Sequence, residues 1–390
     1  MHGTAQSPVH DDTRLPALTG VRFFAALAVM LSHFDHRGIV SVPSGVTDFL
    51  DGGRTAVTLF FVLSGFILAY NYAALSGAAE RIKFYASRFA RIYPVTLLAL
   101  GLGALGMMYG LTNRGSGALL EWYALKDPSL FNIGGSLLAQ LTMTVGWLPT
   151  ASLNQPWNSP AWSIACEMFF YALFPVLLVK MRRMTILRVS LVLVASFALQ
   201  CLIIWASRTF APSGQKGFLV SQFPVTHLFE FLLGIAMALY FLRGGREWVA
   251  TGNRRALLLG GALLPLAGLA YFRPVDPAYL LMSPFFAILI LALAVSPSRR
   301  RSVIAWKPFI LLGEASFALY MIHVPLLNLY SIAKPPAVVG WILLVATVGA
   351  SILVFKWIET PARYRVRELV LRQFPRGIQA TEASRHSSRL

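Results

Sequence analysis

Long apolar runs alternate with short polar segments along nearly the whole chain. The runs lie at about 18–36, 55–75, 92–112, 162–180, 187–206, 225–242, 256–272, 279–296, 310–330 and 338–358. Each approaches the ~20 residues that a helix needs to cross ~30 Å of hydrocarbon. Ten such runs predict an all-α, polytopic membrane protein. Gly and Pro interrupt several of them, which membrane helices tolerate. A polar segment, 1–13, precedes the membrane body at 14–363, so the first span is expected to be retained rather than cleaved. Residues 364–390 form a basic tail whose composition predicts a disordered cytoplasmic segment. The longest loop, about 113–161, carries the apolar stretch Ile133–Trp147, too short to span. It is expected at the interface or re-entering, with Trp147, Trp157 and Trp162 as interfacial anchors.

Composition agrees: of 390 residues, 56% are hydrophobic and 13% charged, against about a quarter charged in soluble domains. The net charge of +18 would suggest a nucleic-acid binder in a soluble chain, but its placement excludes that reading. Segments 76–91, 180–188, 243–255 and 297–309 each hold four Lys or Arg, and the chain from Lys356 onward holds eight. The alternate loops carry one or two each. This alternation places the basic loops and both termini in the cytoplasm, beside anionic lipid. Cys166 and Cys201 fall inside predicted spans without metal-ligand spacing, so they read as packing residues, and no metal site is expected.

Against this apolar background the ionisable residues stand out, because each is costly inside a bilayer and commonly marks a site or pathway. Arg22 and His33 share one face of the first span, about 16 Å apart along the helix axis. The topology puts Arg22 near the cytoplasmic end and His33 in the outer half. Glu167, Glu230 and His323 are expected at a similar outer depth, His323 some 20 Å into its span. Ser163, Glu167 and Tyr171 make a polar stripe on one helix; His227, Glu230 and Gly234 make a second; Ser316, Tyr320 and His323 make a third. Pro325 should free a backbone carbonyl nearby. Arg22, Arg88, Arg91, Glu314, Glu359 and Arg363 cluster instead at the inner ends. The planar fork of arginine suits phosphate, whereas His and Glu suit proton transfer near neutral pH. Two functions fit this division: an enzyme that moves a proton near the outer face, or a proton-coupled transporter using the His/Glu set as a relay.

Seven motifs in order favour the first. RFFAALAVMLSH (Arg22–His33), LFFVLSGFIL (Leu59–Leu68), RFARIYP (Arg88–Pro94), WSIACEMFFYALFP (Trp162–Pro175), FEFLLG (Phe229–Gly234), LGEASFALYMIHVP (Leu312–Pro325) and WIETPAR (Trp357–Arg363) resemble the membrane-bound acyltransferase family 3. These are O-acyltransferases that modify bacterial O-antigens, exopolysaccharides and some macrolides. The resemblance covers about 14–363. One departure is Cys166, where relatives often carry a second acid beside the position of Glu167. The resemblance implies an enzyme of the bacterial cytoplasmic (inner) membrane. It would use acyl-CoA, commonly acetyl-CoA, as co-substrate, and a glycan or other hydroxyl-bearing acceptor. Arg22, Arg88 and Arg91 would then bind the donor's phosphates. His33 would be the general base, with Glu167 or Glu230 orienting it and His323 or Tyr320 donating to the oxyanion. An acyl-His33 intermediate is the alternative chemistry.

Overall fold

A computed structural model describes residues 15–43, 45–46, 53–212, 214–272, 279–295, 302–333, 336 and 338–373. Among the described residues there is no strand. The chain runs through α1 (Pro16–His36), α2 (Arg54–Asn71), α3 (Ala78–Arg114), α4 (Gly117–Tyr123), α5 (Leu130–Leu141) and α6 (Ala151–Asn154). It continues through α7 (Ala161–Arg183), α8 (Ile186–Phe210), α9 (Lys216–Ser221), α10 (Leu228–Tyr240), α11 (Arg246–Ala250) and α12 (Arg254–Phe272). The last helices are α13 (Tyr279–Ala294), α14 (Lys307–Glu314), α15 (Ser316–Ala333), α16 (Val338–Val354) and α17 (Thr360–Gln373).

Among the described residues, nine helices are long and apolar enough to cross a membrane. The chain is therefore a multi-pass membrane protein. The span expected at 279–296 is present as α13, of which 16 residues are described. The expected span 310–330 is not continuous. It breaks at Ala315 into α14 and α15, where the Ser316 hydroxyl turns back to donate to the Gly313 carbonyl at 2.7 Å.

Apolarity runs inside out, as a lipid solvent requires. Of the long described helices, the two most apolar belong to the outer wall: 11% of the α8 window and 17% of the α16 window are buried. The α15 window, among the least apolar, is 78% buried. Lipid rewards apolar surface, so polar side chains retreat to the centre. There α2 and α10 meet backbone to backbone. A Cβ on Gly65 would strike the Phe231 carbonyl oxygen, and one on Gly234 the Val62 carbonyl oxygen, so both positions need glycine, as small-residue packing between membrane helices does. Gly313 meets the Thr19 carbonyl on α1 in the same way.

Two features carry charge toward the centre. Helix α3 is a single 37-residue rod, with Pro94 inside it. The basic segment around Arg88 and Arg91 is thus fixed in register with the span that follows, rather than standing apart from it. After α16 the backbone widens into a π-helical turn, Phe355–Glu359, which buries Glu359 to 1% exposure. The chain then continues as α17 and packs on α3. The expected disordered tail therefore begins with helix through Gln373, because Val366 and Val370 turn toward the body and Val370 is buried. The rest of the tail, like 1–13, lies outside the described residues.

Candidate active site

Four cavities follow one another through the core, each sharing lining residues with the next. The first opens at the face that carries the basic loops, has a volume of about 630 Å³, and is lined by Lys83, Arg88, Glu314, Lys356, Arg363 and Arg367 among others. The second, about 50 Å³, shares Arg88 with it and adds Arg22, Arg91, Glu167 and Tyr171. The third, about 40 Å³, shares Arg22, Phe60, Arg91 and Glu167 with the second, and adds Ser163, Ser316 and Tyr320. The fourth, about 190 Å³, shares Val57 and Tyr320 with the third and is lined by His33, Arg54, Gln155, Trp162 and Gln222. Arginines thus cluster along the path from one end, and at the other an imidazole stands with a single arginine, Arg54.

His33 does not meet a carboxylate. Its Nδ1 lies 2.8 Å from Nε2 of His323, and the two rings stack 5.1 Å apart at 8°. His323 Nδ1 lies 2.6 Å from the Tyr320 carbonyl oxygen. A carbonyl only accepts, so His323 carries its proton on Nδ1 and presents a lone pair from Nε2. His33 must then donate from Nδ1, which leaves its own Nε2 unprotonated in a cavity-lining ring. Two neutral imidazoles and a carbonyl fix a tautomer as a carboxylate fixes it in a hydrolase triad.

Glu167 and Glu230 were expected to share the depth of His33 and to orient it. The structure separates them from it. Glu167 accepts from the Tyr171 hydroxyl at 2.7 Å and lines the two middle cavities beside Arg22 and Arg91. Glu230 is fully buried, accepts from Gln200 Nε2 at 2.8 Å and lies 3.9 Å from His227 Nδ1. His227 in turn donates from Nε2 to the Ser221 carbonyl at 3.2 Å, bracing the wall of the outer cavity from behind. Each stripe stays together, Glu167 with Tyr171 and Glu230 with His227, but the crossing of the helices turns both away from His33.

Tyr320 stands where the third cavity meets the fourth. Its hydroxyl, that of Ser163 and the Pro160 carbonyl form a triangle with edges of 2.8, 3.1 and 3.2 Å. Two hydroxyl protons serve three edges. The Tyr320 proton can therefore turn toward a new acceptor while Ser163 keeps the carbonyl satisfied.

The outer wall is built by residues whose spacing in sequence gave no signal. Pro325 withholds the N–H that would serve the Met321 carbonyl, and Asn158 Nδ2 takes its place at 3.0 Å. Asn158 holds the loop that carries Gln155 and Pro160. Buried Gln140 supports that loop through the carbonyls of Pro156 and Asn158, at 3.0 and 3.1 Å. Trp157 takes a left-handed φ of 69° within it, and its ring N–H donates to Ser136 at 3.0 Å. Trp162, expected at the interface, lines the outer cavity instead. Gln155 and Gln222, from two different loops, meet at 3.5 Å on its rim.

Arg22 turns into the molecule and lines both middle cavities with Arg91, instead of snorkelling to the surface. Arg91 lies 4.0 Å from Glu359, which lies 3.7 Å from Arg363. Arg88 stands 5.8 Å from the centre of the Tyr72 ring.

The acyltransferase-domain family model matches residues 15–358. The chain is 29% identical over 329 residues to Acyltransferase MdmB of Streptomyces mycarofaciens, covering 80% of this chain and 78% of that one. It is 25% identical over 382 residues to the putative peptidoglycan O-acetyltransferase YrhL of Bacillus subtilis. It is 22% identical over 403 residues to O-acetyltransferase OatA of Staphylococcus aureus. Those two alignments cover 90% of this chain but only 55% and 57% of the relatives, so the chain spans little more than half their length. No solved structure matches. The match over nearly all of the described membrane body, with the seven motifs in order, makes this chain a member of acyltransferase family 3, the membrane O-acyltransferases.

Proposed function

We propose that this enzyme takes an acyl group, acetyl foremost, from acyl-CoA on the cytoplasmic side of a bacterial inner membrane. The acceptor is a hydroxyl of a surface or exported glycan in the outer cavity. The observation that carries this reading is the series of four cavities, which runs from a cluster of cations to one unprotonated imidazole nitrogen. CoA is anionic at one end and bears its thioester at the end of a long, thin pantetheine arm. A wide basic mouth followed by two narrow cavities matches that shape.

Arg88 and Arg91, with Arg22 deeper, neutralise the diphosphate. Glu167 keeps Arg22 and Arg91 from carrying uncompensated charge while no donor is bound. The arm runs along the Arg22–His33 face of α1 and brings the thioester carbonyl to Tyr320. His33 Nε2 takes the acceptor's hydroxyl proton as its oxygen attacks that carbonyl. The new C–O bond forms, the Tyr320 hydroxyl donates to the developing oxyanion, the C–S bond breaks as that oxyanion collapses, and His33 passes the proton to the departing sulfur, so CoA leaves as the thiol and the base is restored. A placed base contributes about 10²- to 10⁴-fold, and an oxyanion donor about 10²- to 10³-fold. His323 holds the required tautomer of His33. Glu230 braces the acceptor wall from outside the path.

The purified enzyme, given acetyl-CoA and a panel of surface glycan fractions, should release free CoA thiol in step with ester formed on glycan. Ester formation without thioester consumption would remove acyl-CoA from the reading and leave the acyltransferase assignment standing.

A further inference from the structure

The family resemblance implies Arg22, Arg88 and Arg91 as the cations of the donor site, and the sequence placed Arg363 at the same inner end without a role. The structure adds a second set on a different element. The first cavity is lined by five cationic side chains and one carboxylate, Glu314. Of the cations, only Arg88 also lines the narrow path inward. Arg363 and Arg367 stand one helical turn apart on α17 and share its inner face with Val366 and Val370, all four lining the cavity. Glu359 approaches Arg363 at 3.7 Å, and the arginine is 48% exposed. Two adjacent guanidinium forks, held on a rigid helix at a cavity wall, suit a terminal phosphate better than a bridging one, because a terminal phosphate offers three oxygens.

The shape of the donor separates the two sets. If the arm enters past Arg88, the diphosphate lies at the throat. The ribose phosphate of the adenosine end then remains out in the wide cavity, against α17. We propose that Arg363 and Arg367 form a subsite for the 3′-phosphate of CoA, distinct from the diphosphate contacts of Arg88 and Arg91. This rests on the acyl-CoA reading given above. The shared chemistry is an anionic phosphate, a monoester in CoA, and the phosphodiester of a lipid headgroup is its other source at this depth.

The test compares acetyl-CoA with 3′-dephospho-acetyl-CoA, using the full-length enzyme in vesicles of neutral lipid and in vesicles containing phosphatidylglycerol. The unmodified enzyme should show a KM about ten- to a hundredfold higher for the dephospho donor, the size of one or two charge-assisted contacts. In Arg363→Ala and Arg367→Ala the two KM values should converge, and Arg367→Lys should restore part of the gap. Arg88→Ala should raise both KM values and leave the gap open. Equal KM values for the two donors in the unmodified enzyme would overturn the subsite, while turnover of both would leave the acyl-CoA reading intact. A gap that the α17 substitutions do not narrow would also overturn it. So would α17 variants that lose only their response to phosphatidylglycerol, which would give these arginines to lipid. Turnover of neither donor would instead remove the acyl-CoA reading beneath the subsite.

Discussion

His33 is the residue on which the proposed chemistry turns, and its surroundings make its loss separable from that of its partner. His33→Ala removes the base, and initial-rate assays with the purified enzyme should show kcat reduced about 10²- to 10⁴-fold. His323→Ala leaves the base but frees its ring and tautomer, a positional fault expected to cost about a hundredfold or less. His323→Gln can still accept from His33 Nδ1 and should recover part of that loss. If His323→Ala proved as severe as His33→Ala, both imidazoles would be carrying the proton, and His323 would be more than a positioning residue. Tyr320→Phe removes the hydroxyl at the waist while Ser163 can still satisfy the Pro160 carbonyl. Its kcat should fall about 10²- to 10³-fold with little change in either KM. A rise in acceptor KM alone would make Tyr320 a wall residue only.

At the scale of the element, two devices put these side chains where they act. The first is the glycine contact between α2 and α10. Gly234→Leu forces the helices apart and should cost on the order of 1–3 kcal/mol, read as a lower unfolding temperature in detergent. An unchanged melting curve would mean that the contact is not close in the membrane. The second is the π-helical turn at Phe355–Glu359, a local irregularity of a kind often found at functional sites. It aims Glu359 at Arg91 and hands the chain to α17. Deleting one residue there should restore α-helical pitch, turn Glu359 away and raise the KM for donor. The alternation of apolar runs made the helices legible, and WIETPAR marked the end of the last one. The π turn and the break at Ala315 were not legible, because both arise from helices accommodating their neighbours rather than from local propensity.

At the scale of the molecule, the cavities give the reaction a direction. Reconstituted in vesicles of known orientation, the enzyme should consume acyl-CoA offered at the basic face and modify acceptor offered at the opposite one. Reactivity with both substrates on the same side would break the proposed path. The His/Glu set does not form a single relay across the protein: His33 pairs with His323, Glu167 faces the arginines, and Glu230 faces Gln200 and His227. That division, together with the family to which the chain belongs, disfavours the transporter alternative.

The sequence by itself determined the membrane body, the sidedness of its charges and the residue types at each end. Apolar run length and basic loop placement act locally, through transfer of each segment into lipid. It also showed that Arg22 and His33 share a helix face, since that depends only on helical pitch. Which partners these residues have was decided only by the tertiary structure. Whether His33 meets a glutamate or a second histidine, whether Arg22 turns outward or inward, and which loops close the outer cavity depend on how helices distant in sequence cross. Those crossings are set by glycine contacts, the proline-freed Met321 carbonyl and the satisfaction of buried polar groups, and no spacing along one helix encodes them.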